Sequence, residues 1–356
     1  MKIGVLTYYR VLNYGAVLQA YALQKMLKSI GHDVYLINYQ PIELTKPYNS
    51  IALKQLRRFS YVSKIYRRKF LYSPFKKFIE QYLDEGIEYV SAEQLFNNPP
   101  KADAYIVGSD QVWRTSLSGD NDIFFLPFHS KETKKIAYAA SCGGDYTFMK
   151  DDKKIQLLKE FDAISVREES LYKELYKEGI PSQIVVDPTI LWDDYSEFIH
   201  QNKEGDYIVT YNVHYNSNFR KKLKILKEQL GLPVINIGPN HLLEANENLK
   251  GVSPSQWVNL LYHAKYVYTN SFHGVVFSVN FKKKFFYIPN NVASDSRVVE
   301  FLSQIGLQDT IINNEEDIRR FINTNYTPIA NDSLGVMKSK SKDYLYKLLN
   351  EDRYVE

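Results

Sequence analysis

Four short clusters hold most of the residues able to do chemistry, and each follows an apolar run. Gly108-Ser109-Asp110-Gln111-Val112-Trp113 follows 104–107, and Ser141-Cys142-Gly143-Gly144 follows 136–140. Arg167-Glu168-Glu169-Ser170 follows 163–166, and Asn270-Ser271-Phe272-His273-Gly274 follows 266–269. If those runs are strands of an open α/β sheet, all four clusters stand beyond carboxyl ends, where ligands gather in such sheets.

The last cluster has the most definite chemistry. Asn270 or Ser271 can cap a helix running through Val275, Val276 and Val279. The unpaired N–H groups of its first turn suit an anion, and Gly274 would let a ligand approach the backbone. His273 would stand beside that anion as a proton donor or cationic partner, the alternative being a structural histidine bonded to a carbonyl. Arg167 ends a buried-looking run, where a guanidinium can hold a carboxylate or phosphate bidentately; an ion pair with Glu168 or Glu169 is the alternative. Arg297 opens a helix after a loop containing Asn290 and Asn291, which would bring it toward the same site or leave it on the surface. Asp110 is either a general base or the anchor of an Asx-turn, and Asp187-Pro188 reads as a structural strand terminator. The first loop lacks GxGxxG, so a dinucleotide fingerprint is missing, and no carboxylate or Cys/His cluster calls for a metal.

These residues need elements to position them. Residues 2–8 are apolar, Asn13-Tyr14-Gly15 is turn chemistry, and 16–30 has helical spacing up to Gly31. Residues 33–38 read as the next strand and 51–83 as helical. Strands at 104–107, 136–140, 163–166 and 183–187 follow, with a helix at 168–177. A second series has strands at 207–212, 234–237, 266–269 and 285–288, with helices at 217–230, 255–264, 272–280 and 296–305. Such alternation implies parallel sheets with helices on both faces. The fold expected is α/β, with two Rossmann-like doubly wound domains facing across a cleft that holds the chemistry. Residues 1–194 form the first domain and 206–330 the second, with 195–205 as a linker. A terminal helix at 334–350 packs back on the first domain.

A chain of 356 residues with 44% hydrophobic content fits two packed domains and excludes wholesale disorder. One cysteine, Cys142, allows no intrachain disulfide, which points to the cytoplasm; no run reaches the roughly 20 apolar residues of a membrane span. The net charge is only +4, yet 46–77 contains Lys54, Arg57, Arg58, Lys64, Arg67, Arg68, Lys69 and Lys76 and no acid. With interleaved Ile, Leu, Phe and Tyr, this basic helical insertion (about 46–83) suits an anionic membrane surface, a phosphate-rich acceptor or a solvated face. Peripheral association at the inner face of the membrane, through 54–69, is one expectation. Nucleic acid is not expected, since no binding motif accompanies the charge.

Taken in order, the clusters resemble the polysaccharide pyruvyl transferase family. The matching segments are Asn13-Tyr14-Gly15-Ala16 with Leu18-Gln19-Ala20, Gly108 to Trp113, Tyr138-Ala139-Ala140-Ser141, Ile164 to Ser170, Val186-Asp187-Pro188-Thr189 and Thr269 to Gly274. The resemblance implies a fold like two-domain (GT-B) glycosyltransferases and transfer of a pyruvyl group from phosphoenolpyruvate to sugar hydroxyls, as a ketal, in surface polysaccharide biosynthesis. It implies no cofactor beyond phosphoenolpyruvate as donor substrate, and a sugar acceptor, free or lipid-linked. The family's functional arginine and histidine fall on Arg167 and His273. A second arginine often stands two residues before that histidine, where this chain has Ser271; Arg297 is the candidate to replace it. Asn270, Ser271, Gly274 and Arg297 are then the donor-binding set, on the second domain. Asn13, Tyr14, Gly15, Ser109, Asp110, Gln111 and Ser141 are the acceptor or cleft set, on the first. A glycosyltransferase using a nucleotide sugar, and a non-catalytic carbohydrate- or phosphate-binding module, are the competing readings.

Overall fold

The computed structural model describes residues 1–40, 59–118, 122–128, 132–200, 205–213, 217–238, 241–290, 295–323 and 330–350, without the side chains of 59–69, 116 and 118. The chain divides into two compact units: Met1–Trp192 with Met337–Glu356, and Asp193–Val336.

Unit 1 is built on β1 (Lys2–Leu6), β2 (Asp33–Tyr39), β3 (Glu85–Tyr89), β4 (Ala104–Val107), β5 (Lys134–Ala140), β6 (Ala163–Val166) and β7 (Gln183–Ile184). All pair in parallel, in the order β3-β2-β1-β4-β5-β6-β7. The central strands are apolar almost throughout because helices cover both faces, the pattern of a buried parallel sheet. Trp113 anchors the core: it is fully buried, donates from Nε1 to the Phe124 carbonyl at 3.1 Å and stacks on Phe125 at 5.9 Å. The helix Asp332–Asn350 returns to this unit from Met337, where Ser341 Oγ accepts the Val186 N–H at 3.0 Å and Leu345 is buried.

Unit 2 repeats the scheme with β8 (Gly205–Tyr211), β9 (Val234–Ile237), β10 (Glu247–Leu249), β11 (Ala264–Thr269) and β12 (Lys284–Tyr287), in the order β10-β9-β8-β11-β12, again all parallel. In both sheets the order reverses next to the first strand, between β1 and β4 and between β8 and β11. That switch point leaves a crevice beyond the carboxyl ends of the two strands.

Several sequence expectations change. Edge strands β3 and β10 escaped the reading because their exposed positions carry Glu88 and Glu247, which break an apolar pattern. The strand expected at 183–187 stops at Ile184, since Asp187 caps a helical turn at Pro188–Leu191. Residues 195–205 are no linker at their start: Tyr195 and Phe198 are buried, and Tyr195 packs on Phe277 at 4.8 Å. Of the basic stretch, 41–58 lie outside the described residues, as do the side chains of 59–69; the backbone is helical over Phe59–Tyr82. Among the described residues, no helix is long and apolar enough to cross a membrane.

Cys142 offers a direct test of the packing beyond β5. Burial, and then the Glu168 charge, push its thiol up to about 12, against about 8.5 for an unperturbed cysteine. A raised folded pKa means this contribution to stability is complete below about 8.5 and is lost as pH climbs from there toward the folded value. At pH 8, iodoacetamide is expected to modify Cys142 orders of magnitude more slowly in the native chain than in urea. Equal rates would place the thiol at the surface.

Candidate functional site

At the carboxyl edge of unit 1, Arg167 follows β6 with its side chain only 3% exposed, and three carboxylates meet its guanidinium. Nη1 donates to Asp187 Oδ2 at 2.6 Å and to Ser109 Oγ at 3.2 Å; Nε donates to Glu168 Oε1 at 3.3 Å; Nη2 lies 3.7 Å from Asp110 Oδ1. Burial opposes the charge, but Glu168, Asp187 and Asp110 outweigh it and raise the guanidinium above its usual range. Arg167 is therefore a hub of charges, and the expected open cradle for a phosphate is already filled by carboxylates.

The neighbours complete a buried network. Ser109 Oγ donates to Asp187 Oδ2 at 2.8 Å, and Ser141 Oγ donates to Glu168 Oε1 at 2.6 Å. Asp187, read from sequence as a strand terminator, caps Thr189 N–H at 3.0 Å through Oδ1 and pairs with Arg167 through Oδ2, so it has both roles. Ser141 reaches Glu168 because β5 bulges: Ala139 adopts φ 53, and the register with β6 shifts between Ala137 and Ala140. Asp110 adopts φ 78, rare for a residue with a Cβ, and its Oδ1 accepts the Gln111 N–H at 2.9 Å. The Asx-type contact exists, but on a strained backbone.

Other members of the acceptor set do structural work. Asn13 Oδ1 accepts the Gly15 and Ala16 N–H groups at 2.9 and 3.3 Å, capping the helix Tyr14–Ser29. The Tyr14 ring packs on Phe75 at 4.8 Å, and Gly15 is buried in the first turn. Gln111 Oε1 accepts from Arg114 at 2.8 Å. Their oxygens and rings are thus used in starting helices and turns.

In unit 2, Ser271 caps the helix Phe272–Asn280, its Oγ accepting the Gly274 N–H at 3.4 Å. Asn270 does not cap; its Nδ2 donates to Asn212 Oδ1 at 2.8 Å and Asn290 Oδ1 at 2.7 Å, and its Oδ1 accepts the Val213 N–H at 2.9 Å. These contacts join the ends of β8, β11 and β12 across the switch point. Gly274 has a packing role as well: a Cβ there would overlap the Thr269 hydroxyl. His273 lies in the first turn and is 7% exposed. Arg297 reaches this helix start, its guanidinium stacked over the Phe272 ring at 5.3 Å.

Sequence reasoning missed Asp295, which is buried and accepts the Tyr287 hydroxyl at 2.7 Å through Oδ1 and the Asn290 N–H at 2.7 Å through Oδ2. Tyr8 was also missed, because the apolar run was read through residue 8 while β1 ends at Leu6. Among the described residues, no group of three or more His, Cys, Asp or Glu is arranged to hold a metal ion.

The buried hub makes a strong stability forecast. Arg167→Ala leaves Asp187 and Glu168 buried without their cation, which costs about 3–5 kcal/mol. Urea unfolding is expected to show that loss, and a midpoint within error of wild type would mean that the carboxylates relax into water. Activity lost at Arg167 must therefore be read beside a stability measurement.

With this geometry described, comparison with known proteins is informative. The model of the family described as polysaccharide pyruvyl transferase matches residues 13–292. No curated protein matches the chain. Among solved structures, MnaA of S. aureus, determined with UDP, has a TM-score of 0.55 at 11% identity, covering 99% of this chain and 98% of its own. A UDP-GlcNAc 2-epimerase from Methanocaldococcus jannaschii has a TM-score of 0.49 at 11% identity, covering 97% of this chain and 100% of its own. Such likeness speaks for the fold alone, which is α/β of the GT-B type with two Rossmann-like units. By a match spanning most of its length, the chain belongs to the polysaccharide pyruvyl transferase family, and it is a transferase.

Proposed function

We propose that this transferase moves a pyruvyl group from phosphoenolpyruvate to sugar hydroxyls, unit 2 receiving the donor and unit 1 the acceptor. Beside the family match, the observation that carries the donor half is Arg297, whose guanidinium lies over Phe272 at the start of a helix. A cation and a row of first-turn N–H groups together suit the phosphate and carboxylate of the donor. Arg297 thereby serves where relatives with arginine at the Ser271 position would place that charge.

The chemistry needs an acid and a nucleophile. A proton added to the donor's methylene carbon leaves a cation at the neighbouring carbon, stabilised by its oxygen. A sugar hydroxyl adds there and loses its proton. The carbon–oxygen bond to phosphate then breaks, phosphate leaves, and a second hydroxyl closes the ketal. His273, in the first turn of the helix, is assigned as the acid, close to where the donor phosphate would rest. Arg167 is assigned to hold the carboxylates of the acceptor side in place, since its own charge is already offset.

Two variants test the assignment. Calorimetric titration with phosphoenolpyruvate is expected to show a tenfold to hundredfold weaker Kd for Arg297→Ala, the loss of one charge-assisted contact of about 1.5–3 kcal/mol. His273→Ala is expected to lower phosphate release by about 10²–10⁴-fold with the melt unchanged. Phosphate release would be screened against free and lipid-linked sugars. Binding of nucleotide sugars but not phosphoenolpyruvate would overturn the donor assignment.

A further inference from the structure

The switch point of unit 1 lies between β1 and β4, and the residues just past these strands include Tyr8 and Asp110. Tyr8 is 8% exposed, and its ring packs on Phe124 with centroids 4.6 Å apart. Its hydroxyl has no hydrogen-bond partner, whereas buried hydroxyls nearly always have one. Thr7 Oγ1 donates to the Ser109 carbonyl at 2.7 Å, which ties the chain before Tyr8 to the chain before Asp110, and burial, then the Asp110 charge, push the phenol well above its usual range.

Asp110 differs from the other two carboxylates on Arg167. Its side chain is 17% exposed, against 6% for Glu168 and 0% for Asp187. It is also the most distant from the guanidinium, at 3.7 Å. Its φ of 78 holds the residue in the left-handed region, and such strain persists where the surroundings enforce it, often at ligand sites. Glu168 Oε2, also buried and without a partner, belongs to the same edge.

We propose that Tyr8 and Asp110 form a hydroxyl-binding subsite for a neutral sugar or related polyol. One ligand hydroxyl would donate to the Asp110 carboxylate and accept from the Tyr8 hydroxyl, satisfying both. Three carboxylates against one guanidinium make this edge unfavourable for a phosphate and favourable for a neutral donor group. The inference deepens the function proposed above and rests on its assignment of unit 1 to the acceptor.

The test uses the full chain and a panel of methyl hexosides, followed by saturation-transfer NMR and titration, so that no turnover is needed. Tyr8→Phe keeps the ring on Phe124, and Asp110→Asn suits the positive φ, because asparagine tolerates it better than most residues. Each variant is expected to weaken hexoside binding about tenfold or more, the value of one hydrogen bond, while phosphoenolpyruvate binding stays within about twofold of wild type. Hexoside affinities equal to wild type in both folded variants would overturn the subsite, as would no hexoside binding to the wild-type chain. Failure to bind phosphoenolpyruvate overturns the donor reading instead and leaves the hexoside result standing.

Discussion

Unit 1 depends on one buried cation. Arg167 stands at the end of β6, and its partners come from two other strand ends, Asp110 after β4 and Asp187 after β7, and from its own, Glu168. Taking such charges out of water is costly, and the arrangement holds because the carboxylate oxygens that meet the guanidinium at Asp187 and Glu168 each accept a second hydrogen bond. Asp187 also caps Thr189 and accepts from Ser109, while Glu168 accepts from Ser141. Four loops at one edge of a sheet are thereby fixed relative to one another without a disulfide. Only Asp110 stands loosely in this network and toward solvent, which makes it the natural point of contact with a ligand.

Unit 2 solves the same geometric problem with neutral groups. Asn270, Asn212 and Asn290 link the ends of β8, β11 and β12 through amides, and Asp295 ties Asn290 to Tyr287. The amides are uncharged, and beside the single Asp295 carboxylate stand the first turn of the helix Phe272–Asn280 and the Arg297 guanidinium. The contrast is the physical basis of the proposed division of substrates: an excess of carboxylate discourages anions, whereas a helix start beside a guanidinium attracts them.

How much of this was legible in the sequence follows from what each residue does with its side chain. The parallel sheets were readable because buried strands such as Ala104–Val107 are apolar without interruption, and the four clusters were readable because they follow such runs. Strands β3 and β10 were not, since an edge strand exposes a face and admits Glu88 and Glu247. Ser271 could be named as one of two capping candidates, but the choice against Asn270 needed partners at Asn212 and Asn290, remote in sequence. The same holds for Arg167: an ion pair with Glu168 was foreseeable, but Asp187, twenty residues later, and Asp110, far earlier, were not, because a carboxylate's partners are set by strand order. At Gly274 the sequence suggested ligand access, and the structure adds a packing role against the Thr269 side chain that the sequence did not reveal.

Packing contacts of this kind bear on what a strand-to-helix turn reveals. The side chains of Ser271 and Thr269 satisfy each other's surroundings: the cap, the missing Cβ at Gly274 and the Thr269 hydroxyl accepting the Ser271 N–H at 3.1 Å fit together. Asn13 Oδ1 and the Tyr14 ring are likewise used in starting and packing a helix. Tyr8 and Asp110 differ, since one has a buried hydroxyl without a partner and the other a strained backbone that its own Asx contact does not require. Residues whose local geometry is left incomplete by the protein are where a ligand has something to add. By that criterion the informative positions in unit 1 are a tyrosine and an aspartate flanking the switch point, more than the glycine-rich motifs that first drew notice.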